Sequence, residues 1–319
     1  MKVFVTGAAG FIGSYVSHAL LDDGHEVIGF DNFNDYYDVS LKEARFQGLE
    51  KRAGFSMVRG DLTDFQLLTS QFQQQTFDRV CHLGAQAGVR YSIENSAAYQ
   101  KSNLEGHLNI LEACRHAKIE RLVYASSSSV YGGNKKVPFS EDDPVDHPVS
   151  LYAATKKADE LMSHTYTHLY GLQTVGLRFF TVYGPWGRPD MAYWLFTDAM
   201  LNGRPIKVFN HGDMKRDFTY IDDIVAGVTA SLFVDGLEPY EIFNLGNSQP
   251  ENLMTFIQTV ADALGVEPKM EMLPLQAGDV PITFADVSKA REKLGYEPTT
   301  PISVGIPAFI KWYKEYFKL

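Results

Sequence analysis

The chain has 319 residues, of which 45% are hydrophobic and 21% charged, a composition typical of a globular α/β protein. Its formal net charge of −10 argues against nucleic acid as a partner, and the sequence has no apolar run long enough to span a bilayer. The first strand-like segment begins at residue 2, so we expect no signal peptide and a cytoplasmic location. No Cys/His cluster has metal-ligand spacing, so we expect no metal.

The first segment, Lys2–Gly13, combines a short apolar run with a glycine-rich turn, and an amphipathic run over Ser14–Leu21 follows. A strand, a glycine turn and a helix are the setting in which a phosphate rests on a helix N-terminus. A second predicted strand, Glu26–Phe30, is followed by Asp31, about 20 residues after the glycines, where a ribose-binding carboxylate is expected. The sequence therefore predicts a dinucleotide site that includes Gly7, Gly10 and Gly13.

Strand and helix patterns alternate up to about residue 180. The further predicted strands are Phe55–Arg59, Asp78–Leu83, Arg121–Ser126 and Thr174–Phe179, and the predicted helices lie near 64–74, 95–117 and 151–170. This alternation predicts a parallel sheet with helices on both faces, in which ligands bind beyond the carboxyl ends of the strands. Three groups that follow strands therefore share one edge: Gly60–Leu62, Gly84–Ala85 and Ser126–Ser129.

The alternation weakens after residue 183. Short predicted strands at Ile206–Phe209 and Ile242–Leu245 mix with helices near 191–202, 221–234, 252–264 and 302–318. We therefore expect an α/β protein with a Rossmann-type doubly wound parallel sheet and a smaller mixed α/β lobe. Residues 1–180 would form the NAD-binding domain and residues 181–319 mainly the substrate lobe, with segments free to cross between the two.

The strongest candidates for chemistry are Tyr152 and Lys156, which lie four residues apart and so share one face of a predicted helix. An ammonium beside a phenol favours the phenolate, which is a usable base. Tyr-x-x-x-Lys is by itself a common surface pair. Its position after the fifth strand favours catalysis, as do the four serines of Ser126–Ser129, although serines at a strand end also serve in plain turns.

Three motifs resemble the extended short-chain dehydrogenase/reductase superfamily, namely Gly7–Gly13, Ala125–Gly132 and Tyr152–Lys156. Within that superfamily the chain looks like the nucleotide-sugar 4-epimerases. Three further stretches are similar to UDP-glucuronate 4-epimerases: Asn32–Asp38, Gln86–Ser92 and Arg178–Met191. Gly84 departs from the alanine that the family usually carries there, and we expect this change to be tolerated.

The resemblance implies NAD as a tightly held cofactor and UDP-glucuronate or UDP-galacturonate as substrate. Tyr152 would take the proton of the sugar 4-hydroxyl, Lys156 would hold the nicotinamide ribose, and Ser127 would hydrogen-bond the 4-oxygen. The other implied cofactor contacts are Gly7, Gly10, Phe11, Ile12, Gly13, Asp31, Asn32, Asp61, Leu62, Gly84 and Ala85. The implied substrate contacts are Arg90, Asn103, Ser127, Ser128, Ser129, Met191, Arg216 and Asp279.

Two of the expected substrate contacts follow from position in the chain. Thr181 and Arg188 come after the sixth strand, at the same edge of the sheet as the serines, so we expect them to hold the sugar carboxylate. Two alternatives for the arginines stay open. Arg188 would instead tie its own loop to Asp190, and Arg216 would form a surface ion pair with Asp217.

Competing functions differ at a few positions. The 4,6-dehydratases place Asp and Glu where this chain has Ser128 and Ser129, and UDP-glucuronate decarboxylases carry Glu at the place of Ser129. A UDP-glucose or UDP-N-acetylglucosamine 4-epimerase is a further alternative. A catalytically silent nucleotide-binding regulator is the non-enzyme alternative, against which Tyr152 and Lys156 count. The resemblance also implies a homodimer joined through the helices near 95–117 and 151–170.

Overall fold

A parallel sheet of seven strands forms the centre of the computed structural model, which describes residues 1–275 and 281–319. In chain order the strands are β1 (Lys2–Thr6), β2 (Glu26–Asp31), β3 (Phe55–Arg59), β4 (Arg79–His82), β5 (Arg121–Ser127), β6 (Gln173–Phe179), β7 (Thr181–Tyr183), β8 (Ile206–Val208), β9 (Lys215–Tyr220), β10 (Tyr240–Leu245), β11 (Pro250–Asn252), β12 (Met270–Met272) and β13 (Ile282–Thr283). The central sheet has the order β10-β6-β5-β4-β1-β2-β3. Every neighbouring pair in it is parallel.

The helices connect these strands. They are α1 (Phe11–Asp22), α2 (Val39–Glu50), α3 (Phe65–Gln74), α4 (Tyr91–Glu94), α5 (Ser96–Tyr99), α6 (Gly106–Ala117), α7 (Leu151–Tyr170), α8 (Ala192–Leu201), α9 (Ile221–Phe233), α10 (Leu253–Leu264), α11 (Ser288–Leu294) and α12 (Ile302–Phe317). A π-helical segment, Gln100–Glu105, joins α5 to α6. Local sequence sets the ends of α7, because the Ser150 side chain accepts the Ala153 N–H and Gly171 ends the helix with a left-handed φ of 71°.

The two faces of the sheet bury different helices, because successive side chains of a strand point to opposite faces. Val3 and Val5 of β1 pack in a core that includes residues of α1, α9 and α11. Phe4, between them, packs in a second core with residues of α3 and α6. Consecutive residues of β1, from Val3 to Val5, are therefore all apolar and buried, as expected for a strand in a parallel sheet that is covered on both sides.

The smaller lobe is built around β9. This strand pairs with β7, β11 and β13, while β8 pairs with β12. A third core, rich in aromatic residues, joins α8, α10 and α12 beside these strands. Phe218 and Phe256 stack there with ring centroids 3.9 Å apart. The lobe faces the carboxyl ends of the central strands, since β7 directly follows β6.

The predicted fold class is confirmed, and each of the first six strands lies within one or two residues of its predicted position. Among the features that were not predicted, two bear on the site. Helix α2 occupies Val39–Glu50, directly after the loop of residues 32–38. Strand β10, which we expected among the mixed elements of the smaller lobe, is the edge strand of the central sheet and pairs with β6. The division at residue 180 stays a prediction, and β10 is a segment that crosses it.

Candidate active site

The glycine turn after β1 leaves no space for side chains. Gly7 has a φ of 68°, and a Cβ built on it would lie 2.8 Å from the Gly84 nitrogen. A Cβ on Gly13 would lie 2.1 Å from the Gly7 carbonyl oxygen. The turn therefore packs backbone against backbone. Helix α1 starts directly after it without a side-chain cap on Gly10, so its first N–H groups remain available to an anion.

Two carboxylates follow the turn along the sheet edge. Asp31 is buried, and its oxygens accept the N–H groups of Ala9 (3.1 Å) and Phe33 (2.8 Å). Asp61 accepts from Thr63 and from the Asn32 amide at 2.7 Å. Burial acts to raise the pKa of Asp61, but these hydrogen bonds outweigh it and hold that pKa below its ordinary value. Both groups are thus held as fixed acceptors in the site.

Tyr152 and Lys156 lie on the first two turns of α7 and face the same cavity as Ser127 at the end of β5. The Ser127 oxygen accepts the Ser129 N–H at 3.1 Å, which fixes the hydroxyl at the strand end. Lys156 is buried, and its Nζ donates to Asp159 Oδ2 at 3.0 Å. A phenol, an ammonium and a hydroxyl are thereby brought to one wall, an arrangement suited to moving a proton.

The loop between β7 and α8 brings a charged pair into the cavity. Arg188 donates to both oxygens of Asp190, at 3.0 and 2.6 Å, and Tyr36 also donates to Asp190 at 3.1 Å. Burial acts to raise the pKa of Asp190, but the Arg188 guanidinium outweighs it and holds that pKa below its ordinary value. The structure therefore contains the ion pair by which Arg188 ties its own loop to Asp190.

A buried arginine of α2, which the sequence analysis did not single out, joins this loop to the glycine turn. Arg45 donates to the carbonyls of Trp186 (3.1 and 2.5 Å), Gly187 (3.1 Å) and Ala9 (3.2 Å). It also donates to the Tyr37 hydroxyl at 2.7 Å. Its donors are taken up mostly by backbone carbonyls, so one side chain fixes the spacing between the two halves of the site. Because α2 was not predicted as a helix, the sequence analysis offered no signal for this contact.

The remaining candidates fall into three groups. Arg90 and Arg216 line the cavity: the Arg90 guanidinium lies 5.4 Å from the centre of the Phe209 ring, and Arg216 Nη1 donates to the carbonyls of Lys215 and Pro281. Asn103 is not among the lining residues, because its amide is bonded to Gln86 and to Thr155. Asp279 lies outside the described residues.

One cavity of about 1070 Å³ gathers the other candidates. They are Gly7, Gly10, Phe11, Ile12, Gly13, Asp31, Asn32, Asp61, Leu62, Gly84, Ala85, Ser127, Ser128, Ser129, Tyr152, Lys156, Thr181, Arg188 and Met191. The strand order places Asp61, Asp31, the glycine turn, Gly84 and Ser127 in succession from β3 to β5. Four strand spacings of about 4.8 Å make this edge roughly 19 Å long, so the cavity suits an elongated ligand.

Two further features of the described residues bear on the chemistry. No group of three or more His, Cys, Asp or Glu side chains is placed to hold a metal ion within residues 1–275 and 281–319. Across the same ranges, no helix combines the length and the apolar character that crossing a membrane requires.

Comparison with known proteins gives a consistent result. Residues 3–246 match the model of the NAD dependent epimerase/dehydratase family. UDP-glucuronate 4-epimerase 2 of Arabidopsis thaliana is 50% identical over 100% of this chain and 77% of its own. The probable UDP-glucuronate 4-epimerase of Rhizobium meliloti is 44% identical over 100% and 98%.

A solved structure has a similar fold. The UDP-glucuronic acid 4-epimerase from Bacillus cereus, in complex with UDP-glucuronic acid and NAD, superposes with a TM-score of 0.94 and 36% identity. The match covers 99% of this chain and 100% of that one.

Proposed function

Because the chain belongs to the NAD dependent epimerase/dehydratase family, we propose from its site that it interconverts UDP-glucuronate and UDP-galacturonate through a 4-keto sugar. It is an NAD-dependent isomerase that acts on a UDP-sugar. The observation that carries the proposal is the shared cavity, in which the glycine turn, the Tyr152 hydroxyl and the Arg188 charge face one space. The roles of the individual residues below belong to the proposal.

The residues of the turn fit NAD. A cradle that has no room for a Cβ at Gly7 or Gly13 lets a pyrophosphate approach the backbone closely, and the uncapped start of α1 offers N–H groups to it. Asp31 is positioned to accept from ribose hydroxyls, and Lys156 would hold the second ribose. Bound NAD would supply the hydride acceptor and donor for the sugar C4 position.

The chain's own residues would move the proton. The Tyr152 oxygen takes the proton of the sugar 4-hydroxyl as the 4-keto sugar forms and returns it in the reverse step. The Lys156 ammonium, four residues from Tyr152 on the same helix, would stabilise the negative charge that develops on the tyrosine oxygen as the proton moves. Since a hydroxyl both accepts and donates, Ser127 can donate to the sugar 4-oxygen while it accepts from Ser129.

The carboxylate of the sugar requires its own ligands. The 4-keto sugar is a β-keto acid, which loses carbon dioxide readily when its carboxylate bond stands perpendicular to the ketone plane. Thr181 and the serines after β5 can fix the carboxylate oxygens by hydrogen bonds, and Arg188 supplies charge in the same cavity. For Arg188 to act in this way, the substrate carboxylate must take the place of Asp190 on the guanidinium.

The diphosphate is assigned to Arg216 of the smaller lobe, together with Arg90 from the larger one. Arg216 on β9 lines the cavity, and a guanidinium can bind phosphate through two parallel N–H groups. Arg90 lines the same space from the loop before α4.

We further propose that the protein works as a homodimer in the cytoplasm. Two described cysteines, Cys81 and Cys114, are buried free thiols, which suits a reducing compartment. The adjacent helices α6 and α7 each carry an exposed leucine, Leu108 and Leu161.

Product analysis tests the activity. Purified protein incubated with UDP-glucuronate should form UDP-galacturonate, which chromatography separates from the substrate. Tyr152→Phe removes the base but keeps the ring. Turnover should therefore fall by about 10²- to 10⁴-fold or more, since that range is the usual cost of losing a positioned base. A UDP-pentose as the main product would mean a decarboxylase. Turnover near that of the parent in Tyr152→Phe would remove this tyrosine from the mechanism.

A further inference from the structure

A buried carboxylate beside Lys156 has no part in the mechanism above. Asp159 lies one turn after Lys156 on α7, and the two side chains are 1% and 3% exposed. Lys156 Nζ donates to Asp159 Oδ2 at 3.0 Å. The other oxygen, Oδ1, has no hydrogen-bond partner in the described part of the chain. The ammonium to which the proposed function gives the support of Tyr152 is thus paired with an opposite charge.

The groups packed against this pair from other elements are neutral. His82 of β4 and His107 of α6 lie with ring centroids 5.2 Å apart. Burial, reinforced by the Lys156 charge, lowers the pKa of His82 to about 3. Burial, with His82 and Lys156, also lowers the pKa of His107 well below its ordinary value. Neither histidine therefore carries charge near neutral pH.

The other charges of α7 are engaged elsewhere. Glu160, the next residue, accepts from Arg178 Nε at 2.8 Å and from Arg178 Nη2 at 3.0 Å. Lys157 also pairs with Glu160, at 3.4 Å. Within the described residues, Asp159 is therefore the carboxylate that faces Lys156 at ion-pair distance.

The Asp159 carboxyl of this pair titrates near neutral pH. Burial raises the pKa of the Asp159 carboxyl to about 7, with the Lys156 charge acting in the opposite direction. Asp159 consequently gains and loses its proton in the range in which an enzyme of this kind works.

We propose that Asp159 is a positioning residue that sets how much of the Lys156 charge acts on Tyr152. This inference rests on the proposed function, because it assigns Tyr152 as the base. Ionised Asp159 offsets the ammonium and weakens its support for the phenolate. Protonated Asp159 restores that support, so the base stays available as the pH falls. The residue acts through Lys156 and touches neither the cofactor nor the sugar.

Asp159→Asn separates charge from shape, since the amide keeps an oxygen acceptor for Lys156. The acidic limb of the kcat–pH profile should move to lower pH. An opposite charge in contact with a titratable group shifts the pKa of that group by about 1–3 units. Asp159 acts on Tyr152 only through Lys156 and is only partly ionised, so we expect the acidic limb to move by roughly half to one pH unit. Ser163→Ala is the control, because Ser163 bonds His107 at 2.9 Å in the same buried cluster without carrying charge. It should leave the limb in place.

A second readout is independent of turnover. The ultraviolet difference in tyrosinate absorbance between each protein and its Tyr152→Phe version reports the ionisation of Tyr152 directly. In Asp159→Asn this absorbance titration should also move to lower pH. The expectation holds even if UDP-glucuronate proves to be the wrong substrate, because the measurement needs no turnover. Asp159→Ala supplies the same comparison if the amide variant folds poorly, as judged by circular dichroism. An unchanged absorbance titration in a folded Asp159 variant overturns the proposal.

Discussion

The Asp31 carboxylate is held in place by the backbone, so a ligand that binds beside it must suit a fixed negative charge. Two backbone N–H groups hold its carboxylate, one of them from the glycine turn. Lys42 of α2 is near enough for its charge to interact with Asp31, a proximity that was not visible in the sequence. Lys42 donates to the Asn34 side chain at 2.8 Å, and burial lowers its pKa. We therefore expect the carboxylate to remain the dominant recognition group for a ribose.

We expect the protein to bind NAD⁺ in preference to NADP⁺. A 2′-phosphate would face the Asp31 carboxylate, and like charges in contact cost several kcal/mol, which corresponds to roughly 100-fold or more in affinity. Calorimetric titration of the apo-protein with both dinucleotides measures the ratio. Asp31→Asn should narrow it, while Lys42→Ala, the control for the neighbouring cation, should not. Equal affinities for the two dinucleotides in the unaltered protein would contradict the assignment.

The loop between β7 and α8 determines which partners Arg188 can contact. Its Arg188 was expected to hold the sugar carboxylate, and the structure pairs it with Asp190, while Arg45 fixes the loop backbone at Trp186 and Gly187. The loop is anchored at its base, and the guanidinium at its tip has a partner of the same chemistry as the substrate carboxylate. Binding would then exchange one carboxylate for another.

Arg188→Ala should lower kcat/KM for UDP-glucuronate by roughly 10- to 150-fold, the equivalent of about 1.5–3 kcal/mol for a hydrogen bond to a charged group. Any activity on UDP-glucose should fall much less, and some UDP-pentose or 4-keto-pentose product should appear as the carboxylate gains freedom. Arg188→Lys keeps the charge without the fork and should lie between. Initial rates on both sugars give the comparison. Equal losses on the two sugars, without decarboxylation, would mean that Arg188 only shapes its loop.

Local pattern predicted the elements whose buried positions are apolar. The buried positions of β1, β2, β4, β5 and β6 are largely apolar, and these strands were predicted. Helix α7 was predicted as well, although its buried residues are mostly polar and include Lys156, Asp159 and Glu160. Helix α2 was missed because two of its buried positions are Lys42 and Arg45, which break the apolar period. Partners across the fold are not encoded locally: the tie between Arg45 and Gly187, or between Tyr36 and Asp190, joins residues more than 140 positions apart.

The place of β10 illustrates the same limit at the scale of the molecule. Its apolar run predicts a strand, but the run does not say which sheet receives it. After β6 the chain forms β7, α8, β8 and β9 in the smaller lobe, and α9 then returns it to the central sheet beside β6. The two lobes are thus joined by several crossings of the chain.

The expected homodimer would form through the outer surface of helices α6 and α7. Leu161 of α7 is 57% exposed and Leu108 of α6 is 41% exposed, whereas Leu111 packs in the core beneath them. Burying a leucine contributes about 1.5–3 kcal/mol, so an interface through these helices would gain from both side chains, and a charge placed there would oppose it.

Light scattering coupled to size-exclusion chromatography should therefore give twice the chain mass for the unaltered protein, and Leu161→Glu should shift it toward the monomer. Val304→Glu is the matched control, because Val304 is 59% exposed on α12, a helix of the smaller lobe, and a charge there should leave the mass unchanged. The active-site residues Tyr152 and Lys156 lie on the same helix as Leu161, so the dimer would also brace the helix that carries the base. A monomeric mass for the unaltered protein at micromolar concentration would remove the dimer and this support together.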